Sequence, residues 1–271
     1  MDSAGINILM YHQVGRFKPM KAHRSTYCDH RRFASQMAYL KRFDYHVISL
    51  PQALACLRGE APVPPRAVVL TFDDGYENFY EYAWPVLQAH GFPAMVYLIA
   101  GMLGEPSRWF AADGRDTPPL MSAERVRQLR REGVDFGAHS VSHIRLAQQQ
   151  ETRQIREEVF QSRALLEDVL GEQVLHFCYP YGSHDRRVVD AVADAGFETA
   201  TTCVRSPATV ADDPLTLPRK AVSFGDNLLG YFWRLHVKNT SKVPAIRREG
   251  MRFLDTASEG PRIETAGGSA R

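Results

Sequence analysis

The sequence is poor in cysteine and has no long apolar run. Four cysteines in 271 residues, Cys28, Cys56, Cys178 and Cys203, show no C-x-x-C pair. This usage favours reduced thiols in a cytoplasmic protein over a disulfide frame. No segment approaches the roughly 20 apolar residues of a membrane span. The stretch from Ile6 to Met10 is too short for the core of an export signal and is interrupted by Asn7, so the expected location is cytoplasmic. An excess of charge of one sign is missing as well. Lys and Arg total 33 against 31 Asp and Glu, a net charge of +2, and a nucleic-acid partner is not expected without a pronounced basic excess.

What is present is enough apolar material for one large core, 44% of residues, arranged as alternating strand-like and helix-like segments. Ile6 to His12 reads as a strand ending in a histidine, followed by a polar loop. Phe33, Met37, Leu40 and Phe43 have a helical period. Tyr45 to Leu50 reads as a strand, and Pro51 opens a short helix through Leu57. The apolar run Ala67-Val68-Val69-Leu70 is a strand. Helices are expected over Glu77 to Ala89, Ser122 to Arg131, Glu151 to Leu170 and Asp185 to Ala195, with strands over Ala94 to Ile99, Val134 to Ala138, Val174 to Tyr179 and Phe197 to Cys203. Gly171 is placed to cap the long helix. Repeated units of this kind imply an α/β fold with a mainly parallel sheet. From residue 255 onward small and charged residues dominate, which reads as a disordered tail.

The chemistry gathers at expected strand ends, where such barrels carry their sites. Thr71-Phe72-Asp73-Asp74-Gly75 places two adjacent carboxylates after a strand, with a glycine that permits a sharp turn. One carboxylate can bind a divalent metal while the other stays ionised to take a proton. Further ligands are available at His139 and His143, four positions apart, on one face if that segment is a helical turn. One of the two carboxylates with His139 and His143 would form a carboxylate-plus-two-imidazole set that suits zinc and leaves positions open. The competing reading is that Asp74 caps the next helix and the histidines are ordinary polar residues.

The Thr-Phe-Asp-Asp-Gly block, the His139-Ser140-Val141-Ser142-His143 block and a third at Tyr179-Pro180-Tyr181-Gly182 resemble, in that order, the motifs of the polysaccharide deacetylases of carbohydrate esterase family four. The resemblance covers about Ile6 to Val222. It implies an irregular seven-stranded (β/α) barrel in a single catalytic domain, residues 1–254, and a metal-dependent enzyme that removes acetyl groups from N-acetylated sugars. It further implies that Asp74, His139 and His143 are the metal ligands, that Asp73 is the general base, and that the Tyr181 backbone N–H stabilises the oxyanion.

Two departures from the family pattern bear on the mechanism. Cys178 stands where the third motif usually has an arginine that holds the catalytic aspartate; Arg219, in Leu217-Pro218-Arg219-Lys220, is the candidate replacement, with a solvated arginine as the competing reading. The late Leu-x-His motif that supplies the general acid is missing, because His236 directly follows Leu235. His12 is the candidate for that proton, since a Tyr-His pair ending the first strand resembles poly-N-acetylglucosamine deacetylases of biofilms; His184 is the runner-up. The expected substrate is an N-acetylated glycan or a lipid-linked glycan precursor in exopolysaccharide biosynthesis. A hydrolase of non-peptide C–N bonds in small amides or cyclic ureides and a non-catalytic glycan-binding module are the alternatives. Leu228 to Leu235 reads as a final helix packed over the barrel, or as an aromatic face that with Lys238, Lys242, Arg247 and Arg248 touches a membrane surface.

Overall fold

Strand β5 (Ala67–Phe72) is buried at every position, as expected for a strand covered on both faces. Alternate side chains divide between two cores. Val68, Leu70 and Phe72 join the core shared with the outer helices, whereas Ala67 and Val69 belong to a second core with Ile6, Ile8, Tyr97 and Cys178. The computed structural model describes residues 5–111, 114–241, 246, 248 and 250–253. The tail expected from residue 255, Lys242 and Arg247 lie outside the described residues.

In chain order the remaining elements are β1 (Asn7–Tyr11), β2 (Gln13–Gly15), β3 (Tyr27–Asp29), α1 (His30–Arg42), β4 (His46–Val47), α2 (Leu50–Leu57), α3 (Trp84–His90), β6 (Met95–Leu98), α4 (Ala123–Arg131), β7 (Asp135–Ala138), α5 (Thr152–Leu170), β8 (His176–Cys178), α6 (Arg186–Asp194), β9 (Thr199–Thr201), β10 (Lys220–Ala221) and α7 (Leu228–His236). The main sheet runs β10-β1-β5-β6-β7-β8-β9, seven strands all paired in parallel, with β4 as a side pair on β5. A parallel bridge between Thr201 and Leu217 links β9 to the segment that becomes β10. This is the mainly parallel α/β sheet that the sequence pattern implied, in the single-domain (β/α) barrel that the family resemblance implied. Helix α2 contributes Leu50, Ala53, Cys56 and Leu57 to the second core.

Several local expectations need correction. The strand expected over Tyr45 to Leu50 is only His46–Val47, because Ser49 and Gln52 form a reciprocal capping box that starts α2. The helix expected from Glu77 opens as a π-helical stretch over Phe79–Ala83 before α3; Pro85 has no N–H to offer the carbonyl of Glu81 four residues back. The polar loop after His12 contains β2 and β3, a small parallel pair of their own. Gly171 caps α5 at φ +71° as expected, and the four cysteines carry free thiols. Helix α7 buries Tyr231 and Leu235 and leaves Leu228, Leu229, Phe232 and Trp233 exposed, so only one face of that apolar segment packs.

Candidate active site

The strand ends deliver their side chains through strained backbone. Seven non-glycine residues among those described have positive φ, and four of them, Asp74, Ser140, His143 and Tyr181, lie in the three sequence blocks. Each such residue costs about 1–3 kcal/mol, and such strain clusters at functional sites. The two histidines are therefore not on a helical turn, as the spacing had suggested. Their segment is an irregular loop in which Ser140 is at φ +62° and His143 at φ +58°, and the Ser140 hydroxyl accepts from the His143 N–H at 3.0 Å. Gly75 is at φ +71°, where a Cβ would come within 2.7 Å of Leu98. That turn lets Asp73 and Asp74 enter one pocket from adjacent positions.

The two carboxylates have different surroundings. Asp73 is gripped at both oxygens by Arg219, at 2.6 and 2.7 Å. Arg219 is itself buried, and it donates to the Thr202 carbonyl, the Thr71 hydroxyl and Cys178 Sγ at 3.0, 3.0 and 3.1 Å. The Cys178 thiol lies 3.6 Å from Asp73. Burial pushes the Asp73 carboxyl up, but the charge and hydrogen bonds of Arg219 outweigh it and hold the group below its ordinary value. Asp74 instead presents Oδ1 to two imidazoles, 3.3 Å from His139 Nε2 and 3.2 Å from His143 Nε2. Burial raises this carboxyl too, but the neighbouring histidines more than offset it and place it well below the usual range.

Asp74, His139 and His143 converge closely enough to hold a metal ion, and so do Asp73, His139 and Cys178. The first set fits and the second does not. Asp74 Oδ1 is buried without a hydrogen-bond donor, and ligand atoms bound tetrahedrally at zinc distances lie about 3.3 Å apart. The Asp73 oxygens and Cys178 Sγ are already engaged by a guanidinium, whose charge would repel a cation. His139 Nδ1 lies 2.7 Å from the Cys178 carbonyl. A carbonyl only accepts, so Nδ1 carries a proton, which leaves Nε2 as the nitrogen that would ligate a metal once the ring is neutral.

Asp73, Asp74, His139 and His143 line a cavity of about 290 Å³ together with His12, Trp109, Arg145 and Tyr181. The His143 ring sits between those of Trp109 and Tyr181, with both centroid separations 4.5 Å.

Residues 60–200, just over half of the chain, match the family described as polysaccharide deacetylase. The chain belongs to the polysaccharide deacetylase family. It is 23% identical over 226 residues to the Bacillus subtilis (strain 168) protein YxkH, covering 82% of this chain and 73% of that one. To a poly-β-1,6-N-acetyl-D-glucosamine N-deacetylase of Staphylococcus aureus (strain MRSA252) it is 22% identical over 199 residues, covering 70% of this chain and 66% of that one. Among solved structures, the Streptococcus pyogenes deacetylase PplD in complex with acetate superimposes with a TM-score of 0.73 at 22% identity, over 86% of this chain and 99% of that one. That likeness shows a shared fold.

Within this family member, the arginine missing from the third block is replaced in space. Arg219 comes from the segment entering β10 and reaches Asp73 past β1, the strand between β10 and β5, so it is not a solvated arginine. His12 lines the cavity with Nε2 3.9 Å from Asp73 Oδ2, while its Nδ1 is buried without a hydrogen-bond partner. His184 is not among the cavity-lining residues; it stacks on Tyr179 and pairs with the Gly182 carbonyl. Tyr181 is at φ +58°, and the donors that close its turn are the N–H groups of Gly182 and Ser183. His236 sits against Tyr45 at the end of α7 and is not among the cavity-lining residues. Sequence reasoning missed Trp109, which carried no motif signal, and the polar contacts of Thr71 and Cys178. Thr71 was within the first block, and its hydroxyl role was visible only as a motif position.

Proposed function

We propose that the protein is a metal-dependent N-deacetylase that hydrolyses the acetamide of N-acetylated amino sugars in a glycan or lipid-linked glycan precursor of exopolysaccharide biosynthesis, with zinc as the metal. The observation that carries this reading is the division of labour between adjacent carboxylates: Asp73 locked by Arg219, and Asp74 directed with an unpaired oxygen at two imidazoles. A binding module has no use for the first of these.

Asp74, His139 and His143 would hold the metal, which supplies Lewis-acid polarisation of the acetamide carbonyl and acidifies water. Asp73, kept ionised by Arg219, takes the proton from the attacking water. The Arg219 fork fixes the carboxylate in one orientation, so little reorganisation is needed as the proton moves. The Tyr181 N–H donates to the developing oxyanion, its direction set by Pro180 and by the left-handed turn. His12 gives a proton to the leaving nitrogen of the sugar. Acetate release from N-acetylated oligosaccharides should stop on chelation and return with zinc. In the same assay His12→Ala should lower kcat by roughly 10²–10⁴-fold, the usual worth of a general acid or base. Chelator-resistant turnover would refute the metal's part in this reading, and a near-normal rate in His12→Ala would refute the acid.

The exposed face of α7 supports contact with a membrane surface that carries the substrate. Leu229 is 73% exposed, Trp233 50% and Phe232 42%, and Lys238 lies two residues past the end of the helix. No helix among the described residues is long and apolar enough to cross a membrane, so this contact would be peripheral. Anionic liposomes should retain the protein at low salt and release it as salt rises, and Phe232→Ser with Trp233→Ser should weaken retention while leaving the unfolding midpoint in place. Absence of retention at low salt would leave α7 a packing role only.

A further inference from the structure

The loop between the two histidines is held from outside the cavity by a residue that no sequence motif contains. Its carbonyls at Ser140 and Val141 accept from the Ala100 and Gly101 N–H groups, both at 3.0 Å. Gly101 is needed there, because a Cβ would lie 2.8 Å from the Val141 carbonyl oxygen. On the other side the Val141 and Ser142 N–H groups both point at Glu158 of α5 and donate to the same Oε2, each at 2.9 Å. The Ser142 hydroxyl donates to Oε1. Successive N–H groups after a left-handed residue form an anion-binding concavity, and Ser140 at φ +62° is that residue. The carboxylate of Glu158 fills it.

We propose that Glu158 is the positioning residue that holds the two-histidine loop in metal-binding shape; this rests on the reading of Asp74, His139 and His143 as the ligand set. Glu158 is half-buried and is not among the residues lining the metal cavity, so it acts through the loop. Its neighbour Glu157 is exposed and pairs with Arg153 at 3.6 Å on the solvent side of α5, which makes it a control on the same helix. Without the Glu158 carboxylate, two N–H groups and a hydroxyl lose their shared acceptor. The strained conformations at Ser140 and His143 then lose an external restraint, and the His143 imidazole loses its fixed direction relative to Asp74. Residues that orient metal ligands in this way are typically worth 10–100-fold in affinity.

The test is the zinc dissociation constant of the full chain, measured by competition with a chromophoric chelator, together with the unfolding midpoint of the metal-free protein. Glu158→Ala should weaken zinc binding by roughly 10–100-fold. Glu158→Gln should stay within a few-fold of the wild type, because one amide oxygen can accept both N–H groups, and Glu157→Ala should bind normally. If Glu158→Ala does not fold, Glu158→Asp keeps the charge but withdraws the carboxylate by one methylene, and should bind zinc more weakly than Glu158→Gln. Wild-type affinity in a folded Glu158→Ala or Glu158→Asp protein would overturn the positioning role alone. A wild type that binds no zinc, or binds it equally well after Asp74→Asn, would remove the ligand set and the positioning role with it.

Discussion

Asp73→Asn is expected to lower kcat by roughly 10²–10⁴-fold, the range for loss of a general base, while the purified variant keeps its metal. Asp74→Asn is expected to lose the metal and activity together. The contrast follows from how the two side chains are held. Both oxygens of Asp73 are occupied by Arg219 at 2.6 and 2.7 Å, so its amide analogue removes a proton acceptor and not a ligand. Asp74 Oδ1 has two imidazole nitrogens at 3.2–3.3 Å and no hydrogen-bond donor, so its amide analogue loses the negative charge that a cation needs. Elemental analysis of the two variants beside steady-state rates decides the matter. A metal-free Asp73→Asn protein and a metal-loaded Asp74→Asn protein would reverse the two roles.

Arg219→Leu should destabilise the protein by about 3–5 kcal/mol at neutral pH, the cost of stranding a buried charge without its partner. Restoring neutrality should recover much of that loss, so the double variant Asp73→Asn with Arg219→Leu is expected to be more stable than Arg219→Leu alone. The pH dependence has a definite sign. Arg219 depresses the folded-state pKa of Asp73, so the pair stabilises the fold fully above the unfolded-state value of about 3.9 and less as pH falls through the folded value. Urea unfolding of the wild type and Arg219→Leu should therefore differ most near neutral pH and converge in acid. A pH-independent gap, or a double variant no more stable than Arg219→Leu, would mean that Arg219 contributes packing rather than charge compensation.

The sequence by itself determined the alternation of strands and helices and the mainly parallel sheet, while the barrel and the roles assigned to its strand-end residues came with the family resemblance of three short blocks. Periodicity of two and of 3.6 is local, and a parallel strand covered on both faces must be apolar throughout, so Ala67 to Leu70 and the helices behind it were legible without coordinates. The blocks at Asp73-Asp74, His139 to His143 and Tyr179 to Gly182 were legible because each lies at a strand end, where the fold leaves side chains free for chemistry. Other features depended on approach across the barrel. Spacing gave His139 and His143 a helical turn, but contacts with Ala100, Gly101 and Glu158 stabilise a loop with two left-handed residues in its place. The membership of Arg219 in the site is likewise a tertiary fact. Asp73 and Arg219 are 146 residues apart, and no local pattern records that β10 enters beside β1, which itself pairs with β5. Only that strand order brings the guanidinium to the carboxylate, because a buried charge is stabilised by the partner nearest in space, whatever its place in the chain.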